Sequence, residues 1–182
     1  MEVEEFQIAG PLLITPKAHA DARGFFVERF KKDFFDRLLP NVNFVQDNFS
    51  LSAAGVLRGI HYQYDLPQGK LVTCLNGKIF DVAVDIRKDS KTFGQHVGKI
   101  LSGDLPQWLW VPAGFAHGFC VIGNEPADVL YKVNVPYGPQ GEGGIVWNDV
   151  DLKIPWPIQN PSLSPKDEVL QSFANYSKAP KF

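Results

Sequence analysis

The segment VLRGIHYQ (residues 56–63) sets Arg58, His61, Tyr62 and Gln63 into what begins as an apolar strand. Groups that are costly to bury either satisfy one another in a core or line a cavity where a polar ligand satisfies them. Under strict strand alternation Arg58 and His61 point to opposite faces. Gly59 between them invites a bulge, and bulges re-aim side chains beside sites, so both can reach one cavity. A second histidine, His117, stands in VPAGFAHGF after a bend at Pro112 and Gly114. A lone histidine in a β-rich core is most often structural, but two, each near a glycine and followed by aromatic residues, shift the balance toward a site. Facial metal coordination needs imidazole and carboxylate ligands on adjacent inward positions. Here Tyr62 and Gln63 follow His61, with no H-x-H and no glutamate shortly after, so the sequence predicts no metal and no other cofactor.

The elements that must position these residues are short. Sixteen glycines and 14 prolines punctuate the chain from end to end. Between them run PLLITP, GFFVERF, KLVTCLNG, KIFDVAVDIR, QWLWVP, HGFCVIG and DVLYKVNV, rich in β-branched and aromatic residues, which predicts an antiparallel sandwich or barrel. Helical spacing of three and four appears only in KDFFDRLL (32–39) and SPKDEVLQSF (164–173). The fold class is therefore all-β with short peripheral helices. In KIFDVAVDIR, Phe80, Val82, Val84 and Ile86 share one face, and Ile79, Asp81, Ala83 and Asp85 the other. The expectation is that the first face packs between sheets and the second carries its carboxylates either on a solvated or arginine-paired surface or in a site.

At 182 residues the chain suits one domain, 1–182. With 45% hydrophobic and 21% charged residues it reads as an ordinary soluble globular protein. A net charge of −2 and the lack of a basic run argue against nucleic acid as a partner, although a few arginines in one pocket can hold a small anion. Cys74 and Cys120 lie in apolar runs without CxxC spacing and read as buried free thiols. The opening MEVEEFQIAG is acidic and has no long apolar run, which predicts neither signal peptide nor membrane anchor and points to the cytoplasm. On that reading the N-x-S matches at Asn48 and Asn175 are chance.

Six segments carry a more specific likeness: DARGFFVERF (21–30), QDNFSLSAAGVLRGIHYQ (46–63), GKLVTCLNGKIFDVAVDIR (69–87), VPAGFAHGF (111–119), YKVNVPYGPQGEGGIVWND (131–149) and LSPKD (163–167). In order and register, they resemble the dTDP-4-dehydrorhamnose 3,5-epimerase family. That resemblance implies a metal-free cupin jelly roll of two antiparallel sheets, usually a homodimer. Its substrate is a dTDP-linked 4-keto-6-deoxy sugar, inverted at C3 and C5 on the way to L-rhamnose.

The resemblance also implies roles. A hydrogen beside a ketone is acidic only if the enolate is stabilised, and inversion needs a base on one face and an acid on the other. His61 matches the base, and a free imidazole titrates at roughly pH 6.5. Asp167 matches the carboxylate that orients it, Lys70 the cation at the enolate oxygen, and Tyr131 the phenol that returns a proton. Arg23 and Arg58 match contacts to the diphosphate and sugar, and Glu28, Gln46, Asn48 and His117 other pocket positions. Tyr137 matches an aromatic stacked on thymine, and Glu142 and Lys166 further ligand contacts. Read without the resemblance, Lys70 is a surface lysine after a turn, Tyr131 an ordinary strand tyrosine and Asp167 a helix cap. The sequence leaves open whether one carbon or both are inverted, and whether the chain is instead a silent sugar-nucleotide binder or a metal-dependent cupin. It also leaves open whether Arg23 and Glu28 serve their own site or a partner's.

Overall fold

The computed structural model describes residues 1–182. Its strands are β1 (Glu2–Glu5), β2 (Leu12–Thr15), β3 (Ala18–Asp21), β4 (Gly24–Val27), β5 (Gln46–Ser52), β6 (Leu57–Gln63) and β7 (Lys70–Asn76). They continue with β8 (Lys78–Asp85), β9 (His96–Ser102), β10 (Trp108–Val111), β11 (Phe115–Val121), β12 (Ala127–Val133) and β13 (Glu142–Gly144). Helix α1 is Lys32–Leu38 and α2 is Phe173–Tyr176, with 3₁₀ turns at Pro139–Gly141 and Asp167–Val169. A six-stranded sheet, β1-β2-β10-β7-β12-β5, faces a five-stranded one, β13-β6-β11-β8-β9. Every strand pairing within them is antiparallel. No helix is long and apolar enough to cross a membrane.

Alternation along the interior strands β7, β8, β10 and β11 supplies two buried faces, so the two sheets carry three apolar layers. Val72, Cys74, Ile79, Ala83, Leu101, Leu109 and Val129 meet between the sheets. Outside the six-stranded sheet, Leu71, Trp108 and Trp110 pack on Phe35 of α1. That helix follows its sequence: Phe35 is buried, an exposed Lys32–Asp36 pair spans one turn, and Asp33 and Arg37 sit at the dipole ends they suit. Burying Phe35 contributes about 1.5–3 kcal/mol. Outside the five-stranded sheet, Val82, Val84 and Ile86 pack under Leu152 and Tyr176 of the C-terminal segment. Cys74 and Cys120 are free and buried, as their apolar surroundings predict.

Two expectations are corrected. In β8 the face that packs between the sheets is that of Ile79 and Ala83, the face which also carries the carboxylates. The Val82 and Val84 face is buried instead beneath the C-terminal segment. Asp81 and Asp85 are consequently fully buried, not solvated. Arg87 donates through Nε and Nη2 to Asp85 at 2.9 and 2.8 Å, while Asp81 turns toward His117.

The helix predicted over 164–173 is broken. Asp167–Val169 forms one 3₁₀ turn, Leu170 is extended, and α2 begins only at Phe173. Tertiary partners override the helical spacing: Asp167 is drawn inward to 3% exposure, Gln171 bridges to Ile145, and Asp149 accepts from the Phe173 amide at 2.8 Å.

Candidate active site

The predicted bulge lies where β6 meets β11. His117 pairs with His61 and Phe119 with Arg58, so Gly59 and Ile60 together oppose Gly118. Gly59 has φ of 117°, and a Cβ there would stand 2.6 Å from Gly118 Cα. Only glycine fits that backbone and that approach. The extra residue turns Arg58 and His61 into one cavity of about 380 Å³, which His117, Lys70, Tyr131 and Asp167 also line. A smaller hollow of about 140 Å³ is lined by Asn48, Gln68, Tyr137 and Glu142 and shares His61, Lys70 and Tyr131 with the larger one.

His61 Nε2 and Asp167 Oδ1 are 2.5 Å apart. Burial by itself raises the Asp167 carboxyl, but the hydrogen bond and charge of His61, the Ser164 hydroxyl and the Gly59 backbone outweigh it and hold it below its usual value. An ionised carboxylate only accepts hydrogen bonds, so Nε2 is the donor of this pair and Nδ1 is the nitrogen left to act as a base. His117 makes a second such pair, with Nε2 donating to both oxygens of the fully buried Asp81 at 2.9 and 3.0 Å.

Lys70 opens the interior strand β7, hydrogen-bonded between β10 and β12, and is no surface lysine. Burial lowers its pKa to about 8, against the opposing pull of Glu142 and Asp81. Tyr131, on β12, is half-buried. Burial raises its pKa, Arg58 opposes the rise and Glu142 adds to it, so at neutral pH it is a phenol with a proton to give. Tyr137 donates to Glu142 at 2.6 Å, and Lys166 pairs with the same carboxylate oxygen at 2.5 Å. Burial raises the Glu142 carboxyl, yet Lys166, Tyr137 and His61 lower it overall.

Arg58, His61, Lys70, His117, Tyr131, Lys166 and Asp167 are thus gathered around the larger cavity, and Asn48, Tyr137 and Glu142 around the smaller. Three predicted residues are not brought there within one chain. Arg23 is exposed at the tip of the β3–β4 ribbon and pairs with Asp21 at 2.6 Å, and Glu28 pairs with Lys31. Gln46 lines neither hollow and reaches the site only by donating to the Asn48 side chain at 2.8 Å. Conversely, Ser50, Phe119, Ser162 and Ser164 line the larger cavity without having been singled out. One signal for Ser50 is in the sequence: QDNFSLS alternates with polar Gln46, Asn48, Ser50 and Ser52 on the face opposite Phe49 and Leu51. In the fold that polar face is the inner one.

Two antiparallel sheets closing over a cavity furnished with a histidine–aspartate pair, a lysine and a phenol make this a cupin jelly roll equipped for acid–base chemistry. The family described as dTDP-4-dehydrorhamnose 3,5-epimerase matches residues 5–175. The chain is 50% identical to that enzyme of Shigella flexneri, over 96% of this chain and 97% of the relative. Among solved structures, the dTDP-6-deoxy-D-glucose-3,5-epimerase of Legionella pneumophila, in complex with dTDP-4-keto-L-rhamnose, superposes with a TM-score of 0.90. It is 48% identical, covering 94% of this chain and 92% of that one. A 3'-monoepimerase from Streptomyces bikiniensis, in complex with dTDP-quinovose, gives 0.88 at 31% identity, over 95% and 88%. The chain belongs to the dTDP-4-dehydrorhamnose 3,5-epimerase family and is an enzyme of the isomerase class.

Proposed function

We propose that this chain, working as one domain in the cytosol, inverts C3 and C5 of dTDP-4-dehydro-6-deoxy-D-glucose to give dTDP-4-dehydro-L-rhamnose. The observation that carries this reading is that His61, Lys70 and Tyr131 form the wall common to both hollows, so a sugar ring placed between the hollows would meet all three. Nδ1 of His61 removes the proton beside the ketone, and the electron pair of the C–H bond moves to the C4 oxygen. The Lys70 ammonium holds that enolate oxygen. Tyr131 then gives its proton to the carbon from the opposite face; solvent takes the added proton from the imidazolium and returns one to the phenolate. Arg58 and Lys166 offer donors to the sugar diphosphate and His117 lines the same cavity, while Tyr137 offers its ring to thymine. The ligand of the Legionella relative supports this substrate class.

Proton NMR of dTDP-4-dehydro-6-deoxy-D-glucose in heavy water tests it. Deuterium is expected at both C3 and C5. Exchange at C3 alone would make the chain a monoepimerase, and no exchange a silent binder. In Tyr131→Phe, net inversion is expected to fall by roughly 10²-fold or more, a typical loss for a general acid, while deuterium still enters at C3. Equal loss of both would move the acid elsewhere.

We also propose a homodimer. The β3–β4 ribbon exposes Phe25 and Phe26 at 54% and 67% and carries Arg23 away from its own cavity. Docking against a second copy covers those rings and brings Arg23 and Glu28 to the partner's nucleotide. Light scattering is expected to give twice the chain mass, and Phe25→Asp together with Phe26→Asp to give the monomer.

A further inference from the structure

Ser50 Oγ is the one buried side-chain polar atom in the chain without a hydrogen-bond partner. A buried hydroxyl in that state costs stability. Its surroundings are not those of an inert core. Ser50 lies on the inner, polar face of β5, in register with Val129 and two residues from Asn48, which pairs with Tyr131. Ser52, the next residue on that face, already receives Arg58 Nε at 3.0 Å, so its hydroxyl is committed.

Asn48 lines only the smaller hollow, Tyr131 lines both, and Ser50 lines only the larger. With thymine at Tyr137, on the smaller side, the part of the ligand that passes Tyr131 into the larger cavity is the hexose. The wall there joins polar Ser50 and His117 to apolar Val56, Leu57 and Phe119. That mixture suits a deoxyhexose, which carries hydroxyls on some carbons and bare C–H or methyl surface on others.

We infer that Ser50 is a hexose-recognition residue whose hydroxyl exchanges a hydrogen bond with a ring hydroxyl of the bound dTDP-sugar. The inference rests on the reading of the site given above. The hydroxyl is left unpaired by the fold because its partner is the ligand, and the strain of leaving it so is borne by the free enzyme.

Ser50→Ala, measured by calorimetric titration with dTDP-glucose and with dTDP alone, separates this role from a structural one. Affinity for dTDP-glucose is expected to fall about fivefold, the worth of one neutral hydrogen bond, with dTDP binding unchanged and the melting temperature equal or higher. A lower melting temperature with intact dTDP-glucose affinity would make Ser50 structural and overturn the inference. Equal weakening of both ligands would assign the contact to the nucleotide and overturn it too. Failure of the unaltered protein to bind dTDP-glucose would instead sink the proposed function itself.

Discussion

His61→Ala is expected to lower kcat by roughly 10²- to 10⁴-fold, the contribution of a positioned general base, while the dissociation constant for dTDP hardly changes. The reason is geometric. In the proposed binding mode His61 borders the reacting end of the cavity, and other residues grip the nucleotide. The variant leaves the Asp167 carboxylate, 3% exposed, without its imidazole partner, so a melting curve must accompany the assay. His61→Asn keeps a donor for Asp167 and separates loss of the base from loss of the fold. Near-normal deuterium exchange at C3 in either variant would remove His61 from the role of base.

Lys70→Met is expected to lower kcat by about 10²- to 10³-fold, the cost of deleting one preorganised donor to a developing oxyanion. The pH dependence carries a second signature. Burial brings the Lys70 pKa down to about 8, so the ammonium is present below that pH and lost above it. The kcat/KM of the unaltered enzyme should therefore bend downward above about pH 8, and the residual activity of Lys70→Met should lack that limb. Stability runs the other way. A lysine with a depressed pKa leaves the unfolded chain binding more protons between about pH 8 and the usual value of 10.5, so its contribution to stability rises with pH over that window. At neutral pH, Lys70→Met should then melt at an equal or higher temperature while turning over far more slowly. A drop in both would mark Lys70 as structural.

Much of this molecule is legible in its residues. Dense glycine and proline punctuation between alternating runs dictates a two-sheet fold, because period-two burial needs a sheet on each side of a core. Gly59 announces the β6 bulge, since no other residue fits that backbone. The pairing of Asp167 with His61 across 106 positions is different: composition and spacing alone read that aspartate as a cap, and only the family likeness marks it. The second pair, Asp81 with His117, stayed ambiguous because alternation tells which residues share a face without telling which face is inside.

By itself, then, the sequence determined the fold class, the bulge, the free thiols and, through its long motifs, the family, because each rests on local backbone preference or on contiguous residues. Tertiary structure alone decided four things. It turned the carboxylate face of β8 inward and broke the predicted C-terminal helix to deliver Asp167. It set Lys70 on an interior strand facing the cavity, and it kept Arg23 and Glu28 out of their own chain's cavity. All four depend on which distant segment covers a given face, and desolvation and pairing energies across the chain outweigh the few tenths of a kcal/mol per residue that local propensity supplies.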